Sequence, residues 1–357
     1  MSPRTQCDRT RGDLLWTRGY TDPAWIRRFT SAGRELSPSR RVWRGPEPAR
    51  ALPDRPADLD ALDIELGGTM TELEDLFTTA RTDAFLVMHR GSVVHETYRH
   101  GAEAHTPHFN ASAAKSYVGL MAATPAHQGL LDRSARVHAY VPELTGTAFG
   151  DATVEDLLHM GTQVSYAGRP FDKAIEAQRY YAVIAPQLRP FGYNGPTTIR
   201  EHLATARATG LPGTGFRYEN GNVEALAEVL RGVTGLTTSA LLSEMIWSKI
   251  GAEEDAYYVL DGDGVEAACG GFGATARDIA RLGEMLRCGG AVGDRQVVPE
   301  EVATTITSGI HGQRLLVSPG LDLVAVHFGS QVISPDVPVV PLVQAFLRMG
   351  EHLGASR

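Results

Sequence analysis

The chain has 357 residues, 43% of them apolar and 21% charged, an average composition for a soluble globular protein that excludes disorder over most of its length. No apolar stretch approaches the roughly 18–20 residues that span a bilayer, and the charged opening MSPRTQCDRTRGDLLW has no signal-peptide core, so a cytoplasmic protein that does not enter membranes is expected. A net charge of −8, with Arg27-Arg28 and Arg40-Arg41 the only adjacent basic pairs of note, leaves no electrostatic footprint for nucleic acid.

In chain order, residues 1–65 are rich in Arg, Pro and Asp with sparse aromatics (Trp16, Trp25, Trp43) and read as an extended arm wrapped over a surface. Residues 71–80 have the spacing of a short amphipathic helix. Asp83-Ala-Phe-Leu-Val-Met-His89 and Ser92-Val-Val-His-Glu-Thr-Tyr98 flank Arg90-Gly91, and two apolar runs about a two-residue turn containing Gly predict a β-hairpin. From about residue 112 to 306 the pattern is mostly helical. Asn222 is placed to cap a helix over 223–231, and Thr238 to open one ending near Lys249, with Gly251 after it. Thr275-Ala-Arg-Asp278 predicts a capping box for a helix over 276–287, closed by Gly289-Gly290. Gln313-Arg-Leu-Leu-Val317 and Asp322-Leu-Val-Ala-Val-His327 flank Ser318-Pro-Gly-Leu321 as a second hairpin, and a helix over about 339–353 follows.

Hairpins near both ends with helices between predict an α/β fold of the α+β type: one antiparallel sheet from both chain ends, flanked by helices, plus a helical lobe. The division expected is an N-terminal arm (1–65), a discontinuous sheet domain (66–135 with 260–357) and a mostly helical lobe (136–259). No internal repeat is present.

Several patterns mimic cofactor sites. His95-Glu96-Thr97-Tyr98-Arg99-His100 nearly matches a zinc-protease motif, but its histidines are five apart instead of four, and on a strand such positions face opposite ways. Gly262-Asp-Gly264 and Gly271-Phe-Gly273 fit a loose dinucleotide pattern without the strand–turn–helix context it needs. Neither a phosphate-binding loop nor Gly-x-Ser-x-Gly occurs. The three cysteines, Cys7, Cys269 and Cys288, are too few and too scattered for a disulfide framework or a four-cysteine metal site. No metal or cofactor is expected.

One constellation carries chemistry. Of 34 basic residues only Lys115, Lys173 and Lys249 are lysines, and only a lysine can be shifted into a neutral, basic form. Lys115 alone has a serine three residues before it, in Ser112-Ala-Ala-Lys115. That spacing on a starting helix lets Nζ reach Ser112 Oγ, and burial in an apolar pocket would free the amine to activate the hydroxyl. A second element, Tyr218-Glu-Asn220, precedes another helix and can present a phenol and an amide together.

These two elements resemble the serine β-lactamase and penicillin-recognising enzyme superfamily, most closely its class C-like esterase branch and the 6-aminohexanoate-dimer (nylon-oligomer) hydrolases. The likeness extends to Asp22-Pro-Ala-Trp25, Arg34-Glu35, Pro38, Arg44-Gly45, the first hairpin, Val141-Pro-Glu-Leu144, Gly270-Gly-Phe-Gly-Ala-Thr-Ala-Arg-Asp278 and Gly309-Ile-His-Gly-Gln313. The resemblance implies Ser112 as nucleophile, Lys115 as its base partner and Tyr218 as the general acid/base. It places Asn220 as the amide of the second motif and Thr307-Ser308-Gly309 as the counterpart of the third. The backbone N–H groups of Ile310 and Ser112 would then form the oxyanion hole, usually a large catalytic contribution. Arg169, Asp172, Tyr193 and Cys269 fall where pocket-lining residues occur in that family.

Two departures stand out. Thr307 replaces the basic residue of the third motif, as in nylon-oligomer hydrolases, favouring ester or linear-amide chemistry over β-lactams. A segment of some tens of residues that usually separates the helix expected near residues 300–306 from Ser308-Gly309 is missing. The leading expectation is a serine hydrolase that cleaves small carboxylic esters or linear amides through a Ser112 acyl-enzyme. An acyltransferase using the same site and a non-catalytic ligand-binding protein on the same fold are the alternatives.

Overall fold

The computed structural model describes residues 22–59, 62, 64–66, 68–166, 180, 182–184, 189, 193–303, 306–332 and 340–355. The arm is more regular than its composition predicts. Asp22 accepts a hydrogen bond from Ala24 N and caps helix α1 (Pro23–Ser31), and strand β1 (Ser39–Val42) follows. Ile26 and Val42 anchor these two elements, both fully buried.

Helix α2 (Leu73–Thr79) leads into strands β2 (Thr82–His89) and β3 (Ser92–Tyr98). Their turn has Arg90 at φ 50° and Gly91 at φ 78°; two consecutive left-handed residues match the twist of the flanking strands. Next come strand β4 (His108–Phe109) and helices α3 (Ala114–His127) and α4 (Val154–Leu158). Strand β5 (Val164–Tyr166), helix α5 (Ile199–Ala204) and strand β6 (Ala206–Ala208) lie beyond them. Helices α6 (Asn220–Thr234) and α7 (Thr238–Met245) precede strands β7 (Ala256–Val259) and β8 (Phe272–Ala274) and helix α8 (Ala276–Arg287). The C-terminal part holds strands β9 (Ile306–Gly309), β10 (Gln313–Ser318) and β11 (Leu323–Gly329) and helix α9 (Leu342–Ala355).

The principal sheet has the order β9-β10-β11-β2-β3 and is antiparallel throughout. Both chain ends build it, joined where β11 pairs with β2. Strands β2 and β11, at its centre, read as nearly continuous apolar runs because both faces are covered. Leu86, Met88, Val324 and Val326 point into one core with Ile279, Leu282 and Met285 of α8. Phe85, Val87, Leu323 and Ala325 point into another with Leu76 of α2 and Phe346 and Met349 of α9. A Leu86→Ala change would cost about 2–5 kcal/mol.

A second antiparallel sheet was not anticipated. It has the order β1-β7-β8-β4 and joins the arm to the middle of the chain. Its strands have two to four residues each, too few to carry an alternation that can be read.

Several helix boundaries differ from expectation. Glu219, not Asn222, caps α6, its carboxylate accepting from Gly221 N at 3.0 Å. Asn222 lies inside the first turn, where its amide oxygen accepts from Thr162 Oγ1 at 2.6 Å. Thr237 caps α7, which stops at Met245 before a 3-10 turn over Trp247–Lys249. Residues 300–302 form one 3-10 turn (Glu300–Val302) instead of a helix running to 306. Thr275 does cap α8, accepting from Asp278 N at 3.2 Å. The fully buried Asp278 carboxylate accepts from Thr275 Oγ1 and, in place of the Thr275 backbone N–H of a capping box, from Glu253 N and Glu254 N.

The motif look-alikes resolve into structure. His95 sits on β3 against Phe77 and Phe85, and His100 lies beyond the strand at φ 57°. Gly271 and Gly273 give room for close packing: a Cβ on Gly273 would lie 2.3 Å from the Tyr257 ring. Among the described residues no helix is long and apolar enough to cross a membrane.

Candidate active site

The second sheet positions the Ser112 turn. Phe109 pairs with Gly273, and Asn110 N donates to Phe272 O at 2.8 Å. The Asn110 side chain donates to His108 O and accepts from Tyr117 Oη, which ties the turn to the helix after it. Ala111 then takes φ 48°, a left-handed conformation costing a non-glycine residue about 1–3 kcal/mol. That kink feeds a 3-10 turn, Ala111–Ala113, on which Ser112 is partly exposed.

Lys115, in the first turn of α3, is buried and donates from Nζ to Ser112 Oγ at 2.9 Å. A second donated bond reaches the carbonyl oxygen of Cys269 at 2.8 Å. The expectation of an apolar pocket that strips the lysine of its proton is corrected here. Burial does disfavour the charge, but Cys269, Tyr218 and Glu224 act in the opposite sense and hold the amine above its ordinary range. Lys115 therefore rests as an ammonium, a donor aimed at the serine oxygen.

Tyr218 covers the lysine from the solvent side. Nζ lies 5.1 Å from its ring centroid, and the nearby phenol favours the ammonium form. At 55% exposure it is not a packed aromatic. Its loop is held by Arg217 N on Met160 O and by Gln163 Nε2 on Gly215 O. Asn220, at the start of α6, is partly buried.

Strand β9 forms the edge of the principal sheet and packs beside the Ser112 turn. Ser308 pairs with Arg314 and Gly309 with Gln313, and Ile310 opens the turn that follows. That turn is latched from behind. His311, at φ 66°, donates from Nδ1 to Gln331 O at 2.7 Å. His327 donates from Nδ1 to Gly312 O at 2.6 Å and accepts from Thr82 Oγ1.

A serine on a strained turn thus has a lysine one helical turn on, a tyrosine over that lysine and an edge strand alongside, and the profile of the Beta-lactamase family matches residues 71–320. The chain belongs to the Beta-lactamase family. Within it, the 6-aminohexanoate-dimer hydrolase of Paenarthrobacter ureafaciens is 34% identical over 266 residues. That stretch is 73% of this chain and 66% of the relative, just under two thirds of its length. A solved structure from Bacillus anthracis, provisionally described as a 6-aminohexanoate-dimer hydrolase, superposes with a TM-score of 0.88 at 29% identity, over 96% of this chain and 97% of that one. A mutant class C beta-lactamase shares the fold at 12% identity and a TM-score of 0.56, over 78% of this chain and 95% of that one.

This Beta-lactamase family chain thus brings Ser112, Lys115 and Tyr218 together and sets Ser308, Gly309 and Ile310 on the adjoining strand and turn. The suggestion that Cys269 lines the pocket does not hold. Its side chain is 1% exposed and packs against Tyr180 and Glu224, and only its carbonyl faces the lysine. Tyr193 donates to Pro196 O in its own loop; Arg169 and Asp172 lie outside the described residues. Sequence reasoning missed Glu224 and Tyr180. No spacing links either to Lys115, since the connection runs through a backbone segment 44 to 45 residues from Glu224.

Proposed function

We propose that this protein is a serine hydrolase that cleaves small carboxylic esters or linear amides through a Ser112 acyl-enzyme. The observation that carries the reading is the 2.9 Å hydrogen bond between Lys115 Nζ and Ser112 Oγ beneath an exposed Tyr218. Ser112 Oγ attacks the substrate carbonyl. As its proton passes to the Tyr218 oxygen, the Tyr218 hydroxyl gives its own proton to the departing alcohol or amine, so that the phenol is regenerated. The Lys115 ammonium stabilises negative charge on both oxygens during the transfer. Backbone N–H groups of Ser112 and Ile310 are the candidates to receive the oxyanion, with Ser308, Gly309 and Asn220 shaping the substrate cleft. Water, its proton taken along the same route in reverse, then releases the acid.

The curated relative's name points to a linear amide of 6-aminohexanoate as a first amide substrate. The cytoplasm is the proposed location, supported by free thiols at Cys269 and Cys288, and cell fractionation checks it. Intact-protein mass after exposure to an alkylfluorophosphonate, and separately to p-nitrophenyl acetate, tests the mechanism. A single adduct that disappears in Ser112→Ala supports it. An unmodified, well-folded wild type would favour a ligand-binding protein on this fold.

A further inference from the structure

Glu224 is a glutamate where a carboxylate is costly. It lies on α6, 1% exposed, and a buried carboxylate survives only when its acceptor capacity is used. Oε1 accepts from Cys269 N at 2.8 Å, Oε2 accepts from Ala268 N at 3.1 Å, and the Tyr180 hydroxyl donates to Oε1. The 268–269 segment connects β7 to β8 and is itself buried. Without Glu224 those two N–H groups would be buried donors lacking partners. Seven residues further along the same helix, Arg231 binds Glu266 at 3.0 Å. One helix therefore holds the segment 266–269 at both ends. The far side of that segment is the Cys269 carbonyl, which receives Lys115 Nζ.

We propose that Glu224 and Tyr180 are positioning residues for the hydrolysis assigned to Ser112 and Lys115, resting on that reading: they fix the 268–269 backbone so that the Cys269 carbonyl keeps Nζ directed at Ser112 Oγ. Tyr180 sets the carboxylate, the carboxylate sets two peptide N–H groups, and the next carbonyl sets the amine. The carboxyl also faces the lysine electrostatically and favours its ammonium form. A neutral amide at 224 could satisfy only part of this, because its NH2 group would confront a backbone donor.

The lysine-poor composition makes the inference directly measurable. With only Lys115, Lys173 and Lys249 in the chain, protein labelled with ε-13C lysine gives three ε-methylene signals, and Lys115→Arg assigns one by its loss. Glu224→Gln and Tyr180→Phe would be compared with wild type by this titration, by acylation with p-nitrophenyl acetate and by thermal unfolding. The expected result is a shifted Lys115 signal that titrates at lower pH in both variants. Acylation should fall by about 10²-fold, as for a small misplacement of a reacting group, with KM unchanged. Lys173 and Lys249 should not move.

A Lys115 signal and titration identical to wild type in folded Tyr180→Phe would overturn the proposal. So would acylation reduced only in proportion to the folded fraction. Should Glu224→Gln fail to fold, Tyr180→Phe decides, since it removes one hydroxyl. If wild type is never acylated yet Lys115 moves in the variants, the positioning role stands and the hydrolase reading falls instead.

Discussion

Lys115 Nζ donates to the carbonyl oxygen of Cys269, a residue 154 positions further on, at 2.8 Å. This contact joins α3 to the segment before β8 and supplies a fixed second partner to an amine already bonded to Ser112 Oγ. An amine with one partner can rotate away from it, whereas two partners hold it. The link also explains why a buried lysine retains its charge: the Ser112 hydroxyl and the Cys269 carbonyl accept from Nζ in place of water, and Tyr218 and Glu224 favour the ammonium form.

Removing that amine should separate activity from folding. In Lys115→Met, acylation by p-nitrophenyl acetate is expected to fall by about 10²–10³-fold, the range for a lost donor to developing negative charge. Stability should change far less: Met fills a similar volume without a buried charge, while the Cys269 carbonyl loses its partner at about 1–3 kcal/mol. Stopped-flow acylation alongside urea denaturation measures both. Near-wild-type acylation in a folded variant would remove Lys115 from the mechanism.

Tyr218→Phe removes one hydroxyl from a half-exposed ring. The melting temperature should be unchanged, since exposed substitutions stay within about 0.5 kcal/mol. Steady-state kcat on p-nitrophenyl acetate should drop by about 10²–10⁴-fold, with KM little altered. Equal losses in kcat and thermal stability would instead mark Tyr218 as a packing residue.

What was legible in the sequence had local causes. The hairpin about Arg90-Gly91, the Thr275 cap and the Ser112–Lys115 pair each depend on residues within a few positions of one another. The second sheet was not legible, because β1 pairs with β7 across more than two hundred residues and its strands are too short for a period to emerge. Asn222 was mistaken for a cap because composition favours Asn there; Glu219 took that place, with its carboxylate also accepting from Tyr166 Oη. The role of Glu224 depends on a peptide segment that only folding delivers to it.

The two histidines behind β9 predict acid sensitivity. Burial lowers both His311 and His327 to about 4, against about 6.5 in an unfolded chain. Between those values the unfolded state binds more protons than the native one, so stability rises with pH. It is complete above about 6.5 and is lost as pH falls toward 4, by up to about 3 kcal/mol for each histidine. Urea midpoints from pH 7.5 to 4.5 should therefore decline steeply in wild type and less steeply in His327→Gln. Parallel slopes would show that the latch does not titrate as a buried neutral pair.

Gly273→Ala tests whether the second sheet aims Ser112. The added Cβ would meet the Tyr257 ring at 2.3 Å, and that ring is fully buried, so relief requires β8 to move. Overpacking of this kind costs about 1–3 kcal/mol. Because Gly273 pairs with Phe109, and Phe272 O receives Asn110 N, a displaced β8 carries the Ser112 turn with it. Acylation should fall by more than the loss of folded protein explains, at temperatures well below the melting transition. Gly283→Ala is the control: its Cβ would meet Val324 at 2.5 Å on the principal sheet, a comparable clash at a site that does not pair with the Ser112 turn. If both variants lose stability to a similar extent but only Gly273→Ala loses acylation rate, β8 is what sets the direction of Ser112. Equal rates in the two would mean that the turn is fixed by α3 alone.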